Sequence, residues 1–220
     1  DSAGYAAKEA VRNRVHVWRE RDRAIRERQG EMQWASRIEQ ALDEDRFVLF
    51  GQRIVSLTGV SQGLHCEVLV RIMGDDGKLI SPGAFLPAAE RYHLASRIYR
   101  WVVRNTFNWL DETTVAPESI NTVSINLSGQ SIGDQVFHRF LAEMIAGARF
   151  DVGKLCLEIT ETAAITHISE ARHFINEMRE LGMRIALDDF GAGASSFGYL
   201  KSLPVNYLKI DGQFVRGMTS

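Results

Sequence analysis

Near its end the chain reads RIALDDFGAGASSFGYL (184–200), an apolar run that stops at two adjacent carboxylates, Asp188 and Asp189, before a glycine-punctuated loop. Neighbouring acids repel, and alternate residues of a strand face opposite sides, so this pair calls for a cation or for solvent. Other apolar runs end the same way. In 154–160 (KLCLEIT), Leu155, Leu157 and Ile159 fall on one side, and Cys156, Glu158 and Thr160 on the other. In 122–128 (TVSINLS), Val123 and Ile125 oppose Ser124 and Asn126; in 184–189, Ile185 and Leu187 oppose Ala186 and Asp188. In 205–210, Leu208 and Ile210 oppose Tyr207 and Lys209, and in 64–72 Glu67 shares a face with His65 and Leu69. One acid late in a strand is ordinarily a solvated terminus. Polar groups in matching phase on strand after strand are not.

Glu67, Asn126, Glu158 and Asp188 together offer three carboxylates and one amide oxygen, without a thiolate or a further imidazole-based partner. Such an all-oxygen set suits Mg²⁺ or Mn²⁺ and argues against zinc or copper. With Asp189 nearby, one carboxylate can bridge two ions roughly 3.5–4 Å apart, the arrangement used in phosphate-ester hydrolysis. Lys209 would offset the remaining negative charge, orient a water or contact a phosphate oxygen. His65, two before Glu67, reads as a core histidine with a backbone hydrogen bond rather than a ligand. His16, His93, His138, His167 and His173 are scattered and read as surface or packing residues.

These groups need elements to carry them. Strands are expected at 47–55, 64–72, 122–128, 154–160, 184–189 and 205–210. Helices are expected between them, at 83–111 with a break near His93, at 131–148 and at 167–181, the last closed by Gly182. Strands alternating with helices argue for parallel βα units, while the short Thr58–Gly63 link makes the first two strands antiparallel. In a (β/α) barrel the helices cover the outer face and the site forms at the carboxyl ends of the strands, where the polar groups would meet. Ahead of these units, 1–18 reads as a short helix and strand. From 19 to 45 the chain is charge-dense, with Trp18, Ile25, Met32, Ile38 and Leu42 along one stripe of a helix. That stripe fits a dimerising linker and a helix packed on its own domain equally well.

Several classes drop out. A formal net charge of −2 over 220 residues gives no polyanion-binding surface, so no DNA or RNA polymer is expected. The two cysteines, Cys66 and Cys156, lie in apolar runs and read as reduced, buried thiols of a cytoplasmic protein. No run approaches the roughly 20 apolar residues that cross a bilayer. Asp189-Phe190-Gly191 spells the kinase magnesium tripeptide, but its glycine-rich loop, strand lysine and catalytic loop are missing. The glycines after Asp189 lack the spacing of a nucleotide-binding fingerprint.

From about Trp34 onward the chain resembles the EAL domains, bacterial phosphodiesterases that hydrolyse cyclic di-GMP to the linear dinucleotide. The signature appears as Glu67-Val68-Leu69 followed by Arg71, with Gln52 in the first strand and SPGAFLPAAE at 81–90. Asn126-Leu-Ser, Leu157-Glu-Ile-Thr-Glu-Thr162, Asp188-Asp189-Phe-Gly and Lys209-Ile-Asp211 follow in the family's order. The resemblance implies a TIM-like (β/α) barrel with an antiparallel first strand, and metal held by Glu67, Asn126, Glu158 and Asp188, with Asp189 serving a second ion. Lys209 would sit beside the hydrolytic water, and Glu161 would position the loop after Asp189. Gln52, Leu69 and Arg71 would contact the dinucleotide, Arg71 through phosphate. The same loop and nearby helices would form a homodimer. Residues 1–18 resemble the last helix and strand of a GGDEF domain, 19–45 would be a linker helix, and 46–220 the EAL domain. Upstream GGDEF and sensor domains are then expected partners, and the chain would be cytoplasmic or the cytoplasmic part of a membrane-attached sensor.

Two departures from the family pattern matter. Ala192 and Ala194 stand where threonine and tyrosine are more usual. The sequence also stops at Ser220, soon after the sixth expected strand, whereas an eight-stranded barrel needs two more βα units. An open barrel with exposed edges, unless a partner chain covers them, and weak or absent hydrolysis are therefore expected of this chain, with competent hydrolysis in the complete domain. A receptor that binds cyclic di-GMP without hydrolysis is the competing reading, and an unrelated metal-dependent barrel enzyme the third.

Overall fold

The computed structural model describes residues 33–59, 63–192 and 197–216. The expected GGDEF remnant (1–18), and the expected linker helix up to residue 32, lie outside the described residues. Residues 33–43 are helical (α1), and Ile38 and Ala41 on this helix are wholly buried. Trp34 and Phe47 both meet the ring of Phe85, with centroids 6.5 Å and 5.8 Å away. The described end of the charged helix thus packs into the core of the domain that follows.

Strands β1 (Phe47–Ile54) and β2 (Leu64–Met73) pair antiparallel, with Gln52 opposite Glu67 and Phe50 opposite Leu69. A two-residue strand, β3 (Leu79–Ile80), folds back on β2 through a turn at Gly77. Helices α2 (Pro82–Arg91) and α3 (Ala95–Glu112) then carry the chain over to β4 (Ile120–Leu127), which is parallel to β2. Helices α4 (Gly129–Gly133) and α5 (Gln135–Gly147) precede β5 (Leu155–Thr160), and α6 (Glu161–Thr166) and α7 (Ile168–Glu180) precede β6 (Arg184–Phe190). Strand β7 (Tyr207–Ile210) completes the described sheet, whose order is β1-β2-β4-β5-β6-β7 with β3 beside β2. The sheet is open, with β1 and β7 at its edges.

Alternation assigns the two faces. Val123, Ile125, Leu155, Leu157, Ile159, Ile185 and Leu187 are buried outward against helices. The helices answer at three- and four-residue spacing: Ile98, Val102 and Phe107 of α3, Phe137 and Leu141 of α5, Ala171, Phe174 and Met178 of α7. Leu208 and Ile210 break the pattern, being exposed on edge strand β7. Both cysteines are free and buried.

The departures from the expected elements have local causes. The helix expected at 131–148 is two, because the Asp134 carboxylate caps α5, accepting from the Val136 and Phe137 amides at 2.8 and 3.2 Å. The break near His93 is real: His93 adopts φ +58°, and the Leu94 amide bonds back to Ala89 at 2.7 Å. Gly182 ends α7 at φ +94°, as expected. Strand β7 starts two residues late, since the Asn206 side chain accepts the Ile185 amide at 2.9 Å in place of a strand carbonyl.

Ile38→Ala should therefore lower stability by about 3 kcal/mol through the cavity it leaves, whereas the exposed neighbour change Glu39→Ala should move it by less than about 0.5 kcal/mol. Urea unfolding of the two variants checks this. Equal, small effects would mean that α1 is not part of the folded unit.

Candidate functional site

The inner face of the parallel strands carries the polar groups in stacked levels. Lowest, Arg184 of β6 donates to the Thr122 hydroxyl at 3.0 Å and to the Tyr207 hydroxyl at 3.1 Å. Above them lie Ser124, Cys156 and Ala186, all buried. Burial, then the charge of Glu158, pushes the Cys156 thiol up to about 12, so it stays protonated. Nearest the carboxyl ends come Asn126, directly beside Glu158 in register, and Asp188, beside Thr160.

At this level the side chains converge. The Lys209 Nζ donates to Glu67 Oε2 at 3.1 Å, to Asp188 Oδ2 at 3.1 Å and to Glu158 Oε2. Asn126 donates its amide to the other Glu67 oxygen at 2.7 Å. Three carboxylates from three strands thus meet the ammonium of a fourth, and Asn126 of a fifth joins them through Glu67. Glu158 is the most buried, at 2% exposure, and burial raises its pKa against the pull of Lys209. Burial works the other way on Lys209, but its hydrogen bond to Glu158 and the charges of Glu158 and Asp188 outweigh it and raise its pKa. The shared proton therefore stays on the lysine, which three carboxylates hold at once.

Asp189 sits apart from this knot yet close to it. The β6–β7 register is interrupted between Leu187 and Phe190, and Asp189 lies in that interruption at φ +53°, its amide bonded to Asp188 Oδ1 at 2.9 Å. Asp189 is thus a bulged residue inside β6, which runs one residue past the expected end. Desolvation, then the charges of Asp188 and Asp211, raises its pKa.

Gln52, Leu69 and Arg71 line one wall. Gln52 is opposite Glu67, and Leu69 and Arg71 follow Glu67 at successive alternate positions of β2. Arg71 turns one guanidinium nitrogen to the Val70 carbonyl at 2.8 Å. Glu161 stands at the start of α6, fully buried, and accepts the Gly191 amide at 2.9 Å. Gly191 has φ +93°, and a Cβ there would come within 2.9 Å of the Phe214 ring, so only glycine fits. The other Glu161 oxygen accepts the Tyr199 hydroxyl, a contact no sequence periodicity marks. His138, read as a packing residue, is buried with Nε2 2.7 Å from the Ile132 carbonyl and Nδ1 3.1 Å from Glu177.

Among the described residues no group of three or more His, Cys, Asp or Glu is arranged around a common metal position; Glu67, Glu158 and Asp188 are directed at the Lys209 ammonium. The donor set still fits a hard cation: it is all oxygen, and in this structure it already gathers about a positive charge. Among the described residues no helix is long and apolar enough to cross a membrane.

A largely parallel α/β sheet with an acid-lined face toward its strand ends defines a barrel-type domain whose polar set is suited to a hard cation. The comparisons name its family: residues 35–220 match the EAL domain, and the chain belongs to that family, whose phosphodiesterases depend in general on divalent metal. It is 37% identical to cyclic di-GMP phosphodiesterase PdeB of Shewanella oneidensis over 99% of this chain and 25% of that protein. It is 34% identical to cyclic di-GMP phosphodiesterase PdeF of Escherichia coli K12, over 89% of this chain and 26% of that one. The chain thus spans about a quarter of the length of these curated relatives. The crystal structure of the FimX EAL domain from Pseudomonas aeruginosa bound to c-di-GMP superposes with a TM-score of 0.77 at 29% identity, covering 85% of this chain and 74% of that one. The fold is therefore of the TIM-like EAL type, its described sheet not closed.

Removing the shared cation should leave three acids facing one another. Lys209→Met, with chelator present, should lower stability at pH 7.5 by about 3 kcal/mol. Without the ammonium, whose hydrogen bond and charge oppose the burial of Glu158, the folded-state pKa of Glu158 rises further above its unfolded value. The deficit is then present above the unfolded pKa and relieved as pH falls through the folded one, so it should shrink toward pH 5. Urea denaturation at the two pH values checks this; a deficit independent of pH would contradict it.

Proposed function

We propose that this domain hydrolyses cyclic di-GMP to linear pGpG at the carboxyl ends of its parallel strands. The observation that carries the reading is the gathering of Glu67, Glu158 and Asp188 from three strands onto Lys209 of a fourth, with Asn126 bonded to Glu67. The names of PdeB and PdeF, and the dinucleotide in the FimX structure, support the substrate.

Glu67, Asn126, Glu158 and Asp188 would hold Mg²⁺ or Mn²⁺, and Asp189 a second ion in the complete site. A metal held there would supply a water of lowered pKa and offset negative charge on the phosphate. The chain's own groups do the rest. Lys209, kept protonated by its carboxylates, orients the attacking water and meets developing negative charge on the phosphate. Arg71 offers a planar guanidinium to a phosphate, and Gln52 and Leu69 hold the nucleotide against the β1–β2 wall. The water oxygen bonds to phosphorus as the bond to the ribose 3′ oxygen breaks, and that oxygen takes up a proton. Glu161 holds the segment after Asp189 through the Gly191 amide.

A second reading, a receptor that binds cyclic di-GMP without hydrolysis, draws on one observation: Lys209 contacts Glu67, Glu158 and Asp188 at once and so engages the acids that hydrolysis would need for metal. Homodimerisation through the loop after Asp189 and nearby helices, upstream GGDEF and sensor domains, and a cytoplasmic setting belong to the same proposal.

Glu67→Ala should lower kcat for cyclic di-GMP by about a thousandfold or more while leaving dinucleotide binding within about tenfold, and chelator should abolish turnover in the parent. Chromatographic detection of pGpG with calorimetric binding checks both. Parent-level turnover in the variant would overturn the assignment, and tight binding with no product from the parent would establish the receptor.

A further inference from the structure

Glu161 has two carboxylate oxygens, and each is taken by a different arm of the segment that leaves β6. Oε2 accepts the Gly191 amide at 2.9 Å, and Oε1 accepts the Tyr199 hydroxyl. At 1% exposure Glu161 has no water to replace a lost partner, so removing either donor leaves a buried lone pair unmet. Gly191 sits at φ +93° with the Phe214 ring where a Cβ would stand, so the position takes glycine and its amide is held from outside by the Glu161 carboxylate. Two residues earlier, Asp189 holds a left-handed conformation that a side-chain-bearing residue keeps only where its surroundings enforce it. From the loop side that enforcement comes from Ala192 N–H to the Asp189 carbonyl at 3.1 Å and Asp211 N–H to the Phe190 carbonyl at 3.2 Å. From the α6 side the bond that meets this stretch is the Glu161–Gly191 contact.

We propose that Tyr199 is a positioning residue of the site: by holding Glu161 it fixes the Gly191 amide, and through it the bulge that aims Asp188 at Lys209 and sets Asp189 beside it. The tyrosine is itself braced. It lies in the 3₁₀ helix Phe197–Ser202, where the Ser202 hydroxyl donates to the Tyr199 carbonyl at 2.6 Å. Burial, then the hydrogen bond and charge of Glu161, raises its phenol pKa, so the group remains a donor throughout the working range. The catalytic part of the inference rests on the phosphodiesterase reading; the clamp stands on geometry alone.

Tyr199→Phe tests it, since the ring stays and only the donor is lost. Hydrogen exchange at the Gly191 amide should speed up about tenfold. For cyclic di-GMP, kcat should fall about tenfold with KM changed less than about twofold. Glu161→Gln should show the same signature, and adding Tyr199→Phe to it should produce little further loss, because the two act as one unit. Exchange at Gly191 unchanged in Tyr199→Phe, or fully additive losses in the double variant, would overturn the proposal. Faster exchange in a protein whose parent form yields no pGpG would uphold the clamp and remove the catalytic reading instead.

Discussion

Three carboxylates on three strands can stay ionised in a half-buried space only with a positive charge among them, and here Lys209 supplies it. The ammonium lies 3.1 Å from both Glu67 and Asp188 and binds Glu158 more closely still. Burial opposes the charge of both Glu158 and Lys209, and for Lys209 the contact between them outweighs it. That requirement reaches into the fold. β2, β4, β5, β6 and β7 must lie side by side in parallel and in a register that brings their inner faces level. The outward aliphatics and the helices that cover them hold this arrangement.

The same constraint explains the irregular end of β6. A regular pleat would turn Asp189 away from Asp188, yet the strand bulges there and Asp189 takes a left-handed conformation with its amide on the Asp188 carboxylate. Strain of this kind survives only where neighbours over-determine it. The Ala192 and Asp211 amide bonds to the Asp189 and Phe190 carbonyls and the buried Glu161 carboxylate on the Gly191 amide are those neighbours, which ties this end of the site to a residue at the start of α6.

Much of this was legible in the sequence, for a definite reason. Strand alternation has a period of two, so the side shared by Asn126, Glu158, Asp188 and Lys209 follows from counting once the strands are placed. The antiparallel first pair and the stop at Gly182 were equally local signals. What was not legible depends on tertiary contact. Asp134 splits a helix by capping it, and Asn206 stands in for a strand carbonyl. The Tyr199–Glu161 bond spans 38 residues, and the left-handed turn at Asp189 is set by what surrounds it. Leu208 and Ile210 keep the alternation of a covered strand yet lie exposed at the edge of the described sheet.

The central claim is that this oxygen set, gathered about one cation, works as a metal site for breaking a phosphodiester bond. It is tested most directly by incubating the protein with cyclic di-GMP and Mg²⁺ or Mn²⁺ in water labelled with heavy oxygen, and reading the products by mass spectrometry. The expected product is pGpG carrying a single labelled oxygen on its terminal phosphate, formed only when the divalent metal is present. Cyclic di-GMP recovered intact from a protein that binds it, with metal supplied, would contradict the claim.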